Sequence, residues 1–176
     1  MNGLFYSPLD IAVIVTLMEL DCKYESTILR LIWERENSLI EPEYRTGFKK
    51  YILSVRYWMN YLYEKQDIDR EFPCVSKDAS DSGSPVSKED FTNDFSNLDL
   101  FFKSLRIRLI YTPDTYVRIK LRTLLKRYGY KRRTALLVMH IKNSMEFFGL
   151  NVTLKGNVPC DIGTEDIDSN LTFKLK

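Results

Sequence analysis

The stretch that decides the fold is YVRIKLRTLLKRYGYKRRTALLVMHIKNSMEFFGLNVTLK, residues 116–155. In its first half, five apolar residues recur as one face of a 3.6-residue period: Val117, Leu121, Leu124, Leu125 and Tyr128. This spacing predicts an amphipathic helix. Gly129 is predicted to end that helix, because glycine adopts the left-handed C′ conformation without a Cβ penalty.

A second helix is predicted after the turn, with Thr134 as its N-cap and Gly149 at its end. Its predicted inward face consists of Leu137, Val138, Ile141, Met145 and Phe148. A short strand with Val152 and Leu154 on one face follows. Two amphipathic helices joined by a short turn that contains glycine are typical of a helix-turn-helix. An ordinary helical hairpin with a solvated basic face fits the same pattern, and both interpretations stay open.

Charge is strongly segregated along the chain. The 176 residues carry a net charge of only +2, but residues 103–142 hold twelve basic residues against the single acid Asp114, a net charge of +11. The rest of the chain, with 14 basic and 23 acidic residues, stands at −9. Such a basic segment makes a local positive field, and polyanions are its usual target.

Residues 1–73 are predicted to form a helical domain. Ser7 followed by Pro8 is typical of an N-cap with proline at the first helical position. A long third helix, residues 44–65, carries more aromatic side chains than a lone helix can bury. These side chains are expected in the core, and the alternative is an exposed patch that binds a protein partner or forms a homodimer.

Residues 74–94 are rich in Ser, Asp and Gly, which predicts a flexible acidic linker. After it come a short helix, a strand at 106–111 where apolar and basic residues alternate, the two helices above, and strands at 151–155 and 171–176. The predicted fold class is therefore mainly α with a small β-sheet. It comprises an N-terminal helical domain and a C-terminal domain over residues 95–176.

The order helix, strand, helix, helix, strand, strand, together with KLRTLLKRYGYKRRTALLVMHIKNSMEFFGL, resembles the winged helix-turn-helix family. The resemblance covers residues 95–176 and implies a three-helix core backed by a three-stranded sheet whose last hairpin is the wing. The segment is also similar to small winged modules attached to bacterial restriction and defence proteins. That similarity implies a regulator or subunit of such an assembly. The loop before the last strand departs from the pattern, because it carries Asp161, Glu165, Asp166 and Asp168 where a phosphate-binding wing is usually basic.

Nine residues are predicted to contact nucleic acid, duplex DNA in the first instance. They are Arg118, Arg122, Lys126, Lys131, Arg132, Arg133, His140, Lys142 and Asn143. Arginine and lysine neutralise phosphates and release counterions. The spacing of Arg118, Arg122 and Lys126 places them along one edge of the first predicted helix. Asn143 is the residue best suited to read an adenine edge, through its paired donor and acceptor.

Enzyme chemistry has little support in the sequence. His140 is the only histidine, which excludes a site of several histidine ligands, and no phosphate-binding glycine motif or nucleophile elbow is present. We therefore expect a non-catalytic protein without metal or cofactor. Three scattered cysteines and the lack of a long apolar run predict a cytoplasmic protein that does not enter a membrane.

Two functions fit these observations. The first is a DNA-binding protein with a C-terminal winged helix and an N-terminal domain for partner binding or dimerisation. The second is a protein-interaction adaptor whose winged helix binds protein instead of nucleic acid. The basic helices favour the first function, whereas the acidic loop and the aromatic third helix keep the second open.

Overall fold

A computed structural model describes residues 2–64 and 96–176. The chain divides into two compact units, Met1–Ala79 and Ser80–Lys176. The predicted linker, residues 74–94, lies outside the described residues, so its flexibility and the two domain boundaries stay predictions.

The described part of the N-terminal unit is helical. It contains α1 (Pro8–Thr16), α2 (Cys22–Arg35) and α3 (Phe48–Glu64), with short 3-10 turns at Asn2–Leu4, Asn37–Leu39 and Pro42–Tyr44. The Ser7 hydroxyl accepts a hydrogen bond from the backbone of Asp10, whose carboxylate bonds back to the Ser7 N–H. This reciprocal cap satisfies two backbone donors at the start of α1, and it confirms the predicted N-cap.

The core of this unit lies between α1 and α3. Ile11–Val15 are almost completely buried, as are Tyr51 and Val55 of α3. The opposite side of α3 is different, because Leu53 and Tyr57 keep 58 % and 65 % of their surface exposed. The large side chains of α3 are therefore divided between the core and the surface. Each of the two alternatives for this helix describes one of its sides.

The C-terminal unit follows the order helix, strand, helix, helix, strand, strand. Its elements are α4 (Ser96–Tyr111), β1 (Val117–Lys120), α5 (Leu121–Arg127), α6 (Ala135–Phe147), β2 (Leu150–Thr153) and β3 (Asn170–Leu175). The three strands form an antiparallel sheet in the order β1-β3-β2, with Phe173 opposite both Val117 and Val152. The predicted fold class is confirmed at this level, mainly helical with a small sheet.

Two predicted elements are wrong. Residues 106–111, predicted as a strand, are the last turns of α4, and residues 117–120, predicted as helix, are β1. The strand-like alternation at 106–111 arises because α4 is buried on most of its sides, so its apolar residues do not mark a single face. Its arginines are accommodated by hydrogen bonds, from Arg106 to the Phe148 carbonyl (2.6 Å) and from Arg108 to Asp114 (2.8 Å).

The core of the C-terminal unit is aromatic. Phe102 of α4 lies edge-on to Phe173 of β3, with ring centroids 6.1 Å apart, and Phe101 contacts both Phe173 and Tyr128. Such pairs add to the stabilisation from their buried area. They hold α4 and the end of α5 against the central strand of the sheet.

The predicted glycine stops are confirmed. Gly129, at φ +74°, follows α5, and Gly149, at φ +58°, follows α6. A Cβ on Gly149 would also lie only 3.1 Å from the Arg106 guanidinium. Residues 154–169 connect β2 to β3 and are called the acidic loop below.

Candidate nucleic-acid interface

Helix α6 presents one buried side and one exposed side. The Thr134 hydroxyl accepts from the Leu137 N–H at 3.2 Å, which confirms the predicted N-cap. Leu137 and Ile141 point into the core. Six residues of this helix are exposed: Ala135, Leu136, Met139, Lys142, Asn143 and Glu146. The side of α6 that was predicted to meet nucleic acid is therefore open to solvent.

Three of the predicted cations are exposed close to the turn between α5 and α6: Lys126, Lys131 and Arg132. No described residue forms an ion pair with any of them. Exposed cations without such a partner add positive potential to this side of the unit.

Arg118 does not belong to a row on one helix. It lies on β1, where its guanidinium stacks over the Tyr116 ring at 5.2 Å and its Nε donates to Thr172 Oγ1 at 3.3 Å. The predicted i, i+4, i+8 row of Arg118, Arg122 and Lys126 is therefore wrong, because the helix begins only at Leu121. Arg118 remains exposed and cationic.

The acidic loop contacts three of the predicted phosphate ligands. Both carboxylate oxygens of Asp168 accept from the Arg122 guanidinium at 2.7 Å, and Asp161 Oδ1 lies 2.9 Å from Lys142 Nζ. Arg133 donates to the backbone carbonyls of Ile162 (2.9 Å) and Glu165. Two acids of the loop are therefore paired with cations of α5 and α6.

These ion pairs keep both carboxylates charged. The hydrogen bond from Arg122 lowers the pKa of Asp168, and the hydrogen bond from Lys142, followed by that from the Gly163 N–H, lowers the pKa of Asp161. Asp168 in turn raises the pKa of Arg122. Opposite charge favours the ionised form of each partner, so both pairs are fully charged at neutral pH.

His140 lies in a different environment from the other predicted ligands. Its Nε2 is 2.6 Å from Asp99 Oδ1 on α4, and the two side chains are only 20 % and 8 % exposed. The Ser144 hydroxyl lies 3.5 Å from the same Asp99 oxygen. His140 therefore joins α6 to α4, and its ring is turned towards the protein.

Replacing His140 should lower the stability of the C-terminal unit. His140→Ala leaves the Asp99 carboxylate buried without the imidazole, and losing the partner of a buried polar group costs about 1–3 kcal/mol. His140→Gln should recover part of this loss, since its amide can donate. Asn143→Ala, at an exposed position of the same helix, should leave stability nearly unchanged. Chemical denaturation followed by circular dichroism measures the free energy of unfolding of all three variants. Equal losses for His140→Ala and Asn143→Ala would contradict a stabilising contact between His140 and Asp99.

The two loop carboxylates should respond to their own partners. Arg122→Gln should raise the pKa of Asp168 towards its ordinary value and leave that of Asp161 in place, whereas Lys142→Gln should do the reverse. Side-chain carboxyl NMR titration measures both. A depressed folded-state pKa stabilises the fold above the unfolded-chain pKa, and this stabilisation is lost as the pH falls through the folded value. The two ion pairs should thus persist in mildly acidic buffer. Equal shifts of the pKa values of Asp161 and Asp168 in either variant would contradict specific pairing.

Sequence reasoning did not identify the partners of these cations. Asp99 and His140 are 41 residues apart, and Arg122 and Asp168 are 46 residues apart. No local spacing rule connects residues at such distances. The acids of the loop were recognised, but only the fold reveals which bases they contact.

Two further observations concern the described residues only. Within residues 2–64 and 96–176, no three side chains of His, Cys, Asp or Glu form a group that could hold a metal ion. In the same ranges, no helix is both long and apolar enough to cross a membrane.

Comparison with known proteins adds no relative. No protein-family model matches the chain, and no curated protein or solved structure matches it either. The resemblance to winged helices therefore stays a prediction.

Proposed function

We propose that the C-terminal unit is a winged helix-turn-helix domain that binds duplex nucleic acid, with DNA as the favoured form, mainly through phosphate contacts. The element order and the β1-β3-β2 strand order support this fold, because both are those expected for a helical core backed by the wing hairpin. In this proposal α6 is the recognition helix.

The observation that carries the proposal is the group of exposed cations at the α5–α6 turn. Lys126 in the last turn of α5 and Lys131 and Arg132 in the turn before α6 are exposed, without an ion-pair partner among the described residues. A positive cluster at the start of a helix that can enter a groove suits the phosphates on either side of that groove. Arg118 on β1 extends the positive surface.

Sequence preference, in this proposal, comes from Asn143. Its amide is exposed on α6 and offers the donor and acceptor that match the N6 and N7 of adenine. Lys142 and Arg122 contribute less to phosphate binding than the sequence alone suggests, because Asp161 and Asp168 already neutralise them.

The N-terminal unit is proposed to bind a protein partner or a second copy of the chain. The exposed residues Leu53 and Tyr57 of α3 support this role, since large apolar side chains grouped on one helix side are typical of interfaces. In the proposed assembly, this unit recruits a partner and the C-terminal unit supplies the nucleic-acid contact.

A second function is favoured by a specific observation on α6. Leu136 and Met139 are 52 % and 54 % exposed on the side of the helix that is proposed to face nucleic acid. Apolar side chains flanked by Arg132 and Lys131 also suit an acidic amphipathic helix of a protein partner. The C-terminal unit would then be a protein-interaction adaptor.

Binding of a short random-sequence duplex across a salt series separates the two functions. A phosphate-dominated complex loses affinity steeply between about 50 and 200 mM salt, by about 0.9 in log K per log salt for each contact. Fluorescence anisotropy measures the affinity at each salt concentration. Absence of binding at the lowest salt concentration would exclude the nucleic-acid function and leave the adaptor.

A further inference from the structure

The acidic loop is anchored without its carboxylates. Ile162 is buried, and Arg133 bonds to the backbone carbonyls of Ile162 and Glu165. The first two N–H groups of α5, those of Leu121 and Arg122, donate to the loop carbonyls of Ser169 and Ile167 at 3.0 and 2.7 Å. These contacts satisfy helix-end donors that would otherwise need water. The loop therefore stays in place when its acidic side chains change.

The carboxylates of the loop lie where they meet the cations of α5 and α6. The pairs Arg122–Asp168 and Lys142–Asp161 leave about half of each side chain exposed, between 49 % and 58 %. Exposed ion pairs contribute little to stability. An incoming phosphate can therefore replace either carboxylate by a rotation of the side chains, without opening the loop.

The Asp161 carboxylate is also held by the loop backbone, whereas at Asp168 the backbone N–H is held. Asp161 Oδ1 accepts from the Gly163 N–H at 2.8 Å, and the Asp168 N–H donates to Asp166 Oδ1 at 2.7 Å. The loop backbone thus positions the Asp161 side chain directly, and the Asp168 carboxylate is positioned by its ion pair with Arg122. Asp166 has the same charge, but its carboxylate accepts from the Asp168 N–H of the loop backbone.

We propose that Asp161 and Asp168 compete with phosphate for Lys142 and Arg122, so that the acidic loop acts as a built-in inhibitor of polyanion binding. The inference rests on the proposed function. Nucleic acid must displace both carboxylates to use these two cations, and the unaltered chain binds mainly through the exposed cations of the α5–α6 turn. The loop sets a low basal affinity that a loss of its charge would raise.

The test compares the unaltered chain with Asp161→Asn/Asp168→Asn in duplex binding across a salt series. Asparagine keeps the shape and the backbone hydrogen bonds, and circular dichroism verifies the fold. Two freed contacts should steepen the slope of log K against log salt by about 1.8, which makes the loss between 50 and 200 mM salt roughly tenfold larger. Affinity at the lower salt concentration should rise by a similar factor.

Matched controls separate the mechanism from net charge. Glu34→Gln/Glu43→Gln changes the charge by the same amount at exposed ion pairs of the N-terminal unit. Asp166→Asn changes the charge by one within the same loop. The double loop variant should bind duplex more tightly than the first control. Asp168→Asn alone should bind duplex more tightly than Asp166→Asn. Adding Arg122→Gln to Asp168→Asn should reverse the gain in duplex affinity.

The outcomes are distinguishable. If the unaltered chain binds duplex and the loop variant equals its charge-matched control, the inhibitor role is overturned while the proposed function stands. The same conclusion follows if Arg122→Gln leaves the gain of Asp168→Asn intact. If neither protein binds duplex at low salt, the proposed function fails and the inhibitor role fails with it.

Discussion

Reversing Lys131 and Arg132 to glutamate should lower duplex affinity by roughly 10- to 100-fold at low salt. Both side chains are exposed at the start of α6, and no described residue neutralises them. The change removes two phosphate contacts, which corresponds to a loss of about 1.8 in the salt slope, and adds repulsion from two carboxylates. Each factor of ten is about 1.4 kcal/mol of binding free energy.

The choice of Lys131 and Arg132 follows from the environment of Arg133. Arg133 bonds to two carbonyls of the acidic loop, so its reversal would disturb the loop as well as the surface charge. The matched control reverses Lys23 and Lys49, two exposed lysines of the N-terminal unit, with the same change in net charge. Fluorescence anisotropy at several salt concentrations measures both variants.

An equal loss in both variants would assign the effect to total charge instead of the interface. If the variant at 131 and 132 keeps full affinity at low salt, this helix pair does not bind DNA. The exposed apolar residues Leu136 and Met139 would then make the protein-interaction adaptor the better interpretation.

Phe173→Ala should destabilise the C-terminal unit by about 3–5 kcal/mol, the usual cost of removing a buried phenylalanine. Phe173 is fully buried on the central strand, contacts the rings of Phe101 and Phe102, and pairs across the sheet with β1 and β2. The cavity would lie where α4 meets the sheet. Such a loss is a large part of the stability of a small domain.

The measurement can follow each unit separately. Both tryptophans, Trp33 and Trp58, belong to the N-terminal unit, so their fluorescence reports on that unit alone. Phe173→Ala should shift the denaturation of the C-terminal amide signals in NMR and leave the tryptophan transition in place. Leu175→Ala, two residues further along the same strand at a more exposed position, is the control and should cost much less. A common shift of both signals would contradict the expectation that the loss of stability is confined to the C-terminal unit.

Local features of this fold were predictable because a few neighbouring residues determine them. The caps at Ser7 and Thr134 depend on a hydroxyl and a backbone N–H three residues away. Gly129 and Gly149 end their helices because each adopts a positive φ that other residues rarely take. Leu137 and Ile141 of α6 are buried, as the helical period predicts, whereas Val138 and Met145 of the same predicted face are only half-buried.

The assignment of β1 and the end of α4 depended on contacts that no short window contains. Residues 117–120 form a strand because Ile119 pairs with Leu171 and Val117 with Phe173, more than 50 residues later. Residues 106–111 stay helical because α4 is surrounded by the rest of the unit. Periodicity cannot distinguish a helix that is buried on most sides from a strand.

The sequence by itself determined that the basic charge is concentrated in residues 103–142 and that α6 has an exposed side with Asn143 on it. Only the tertiary structure decided which of those charges are available. Folding brings Asp168 to Arg122, Asp161 to Lys142 and Asp99 to His140. Electrostatic energy depends on the distance between charges in space, and separation along the chain does not report that distance. That Lys126, Lys131 and Arg132 have no ion-pair partner among the described residues, whereas Arg122 and Lys142 have one, is therefore decided by the fold.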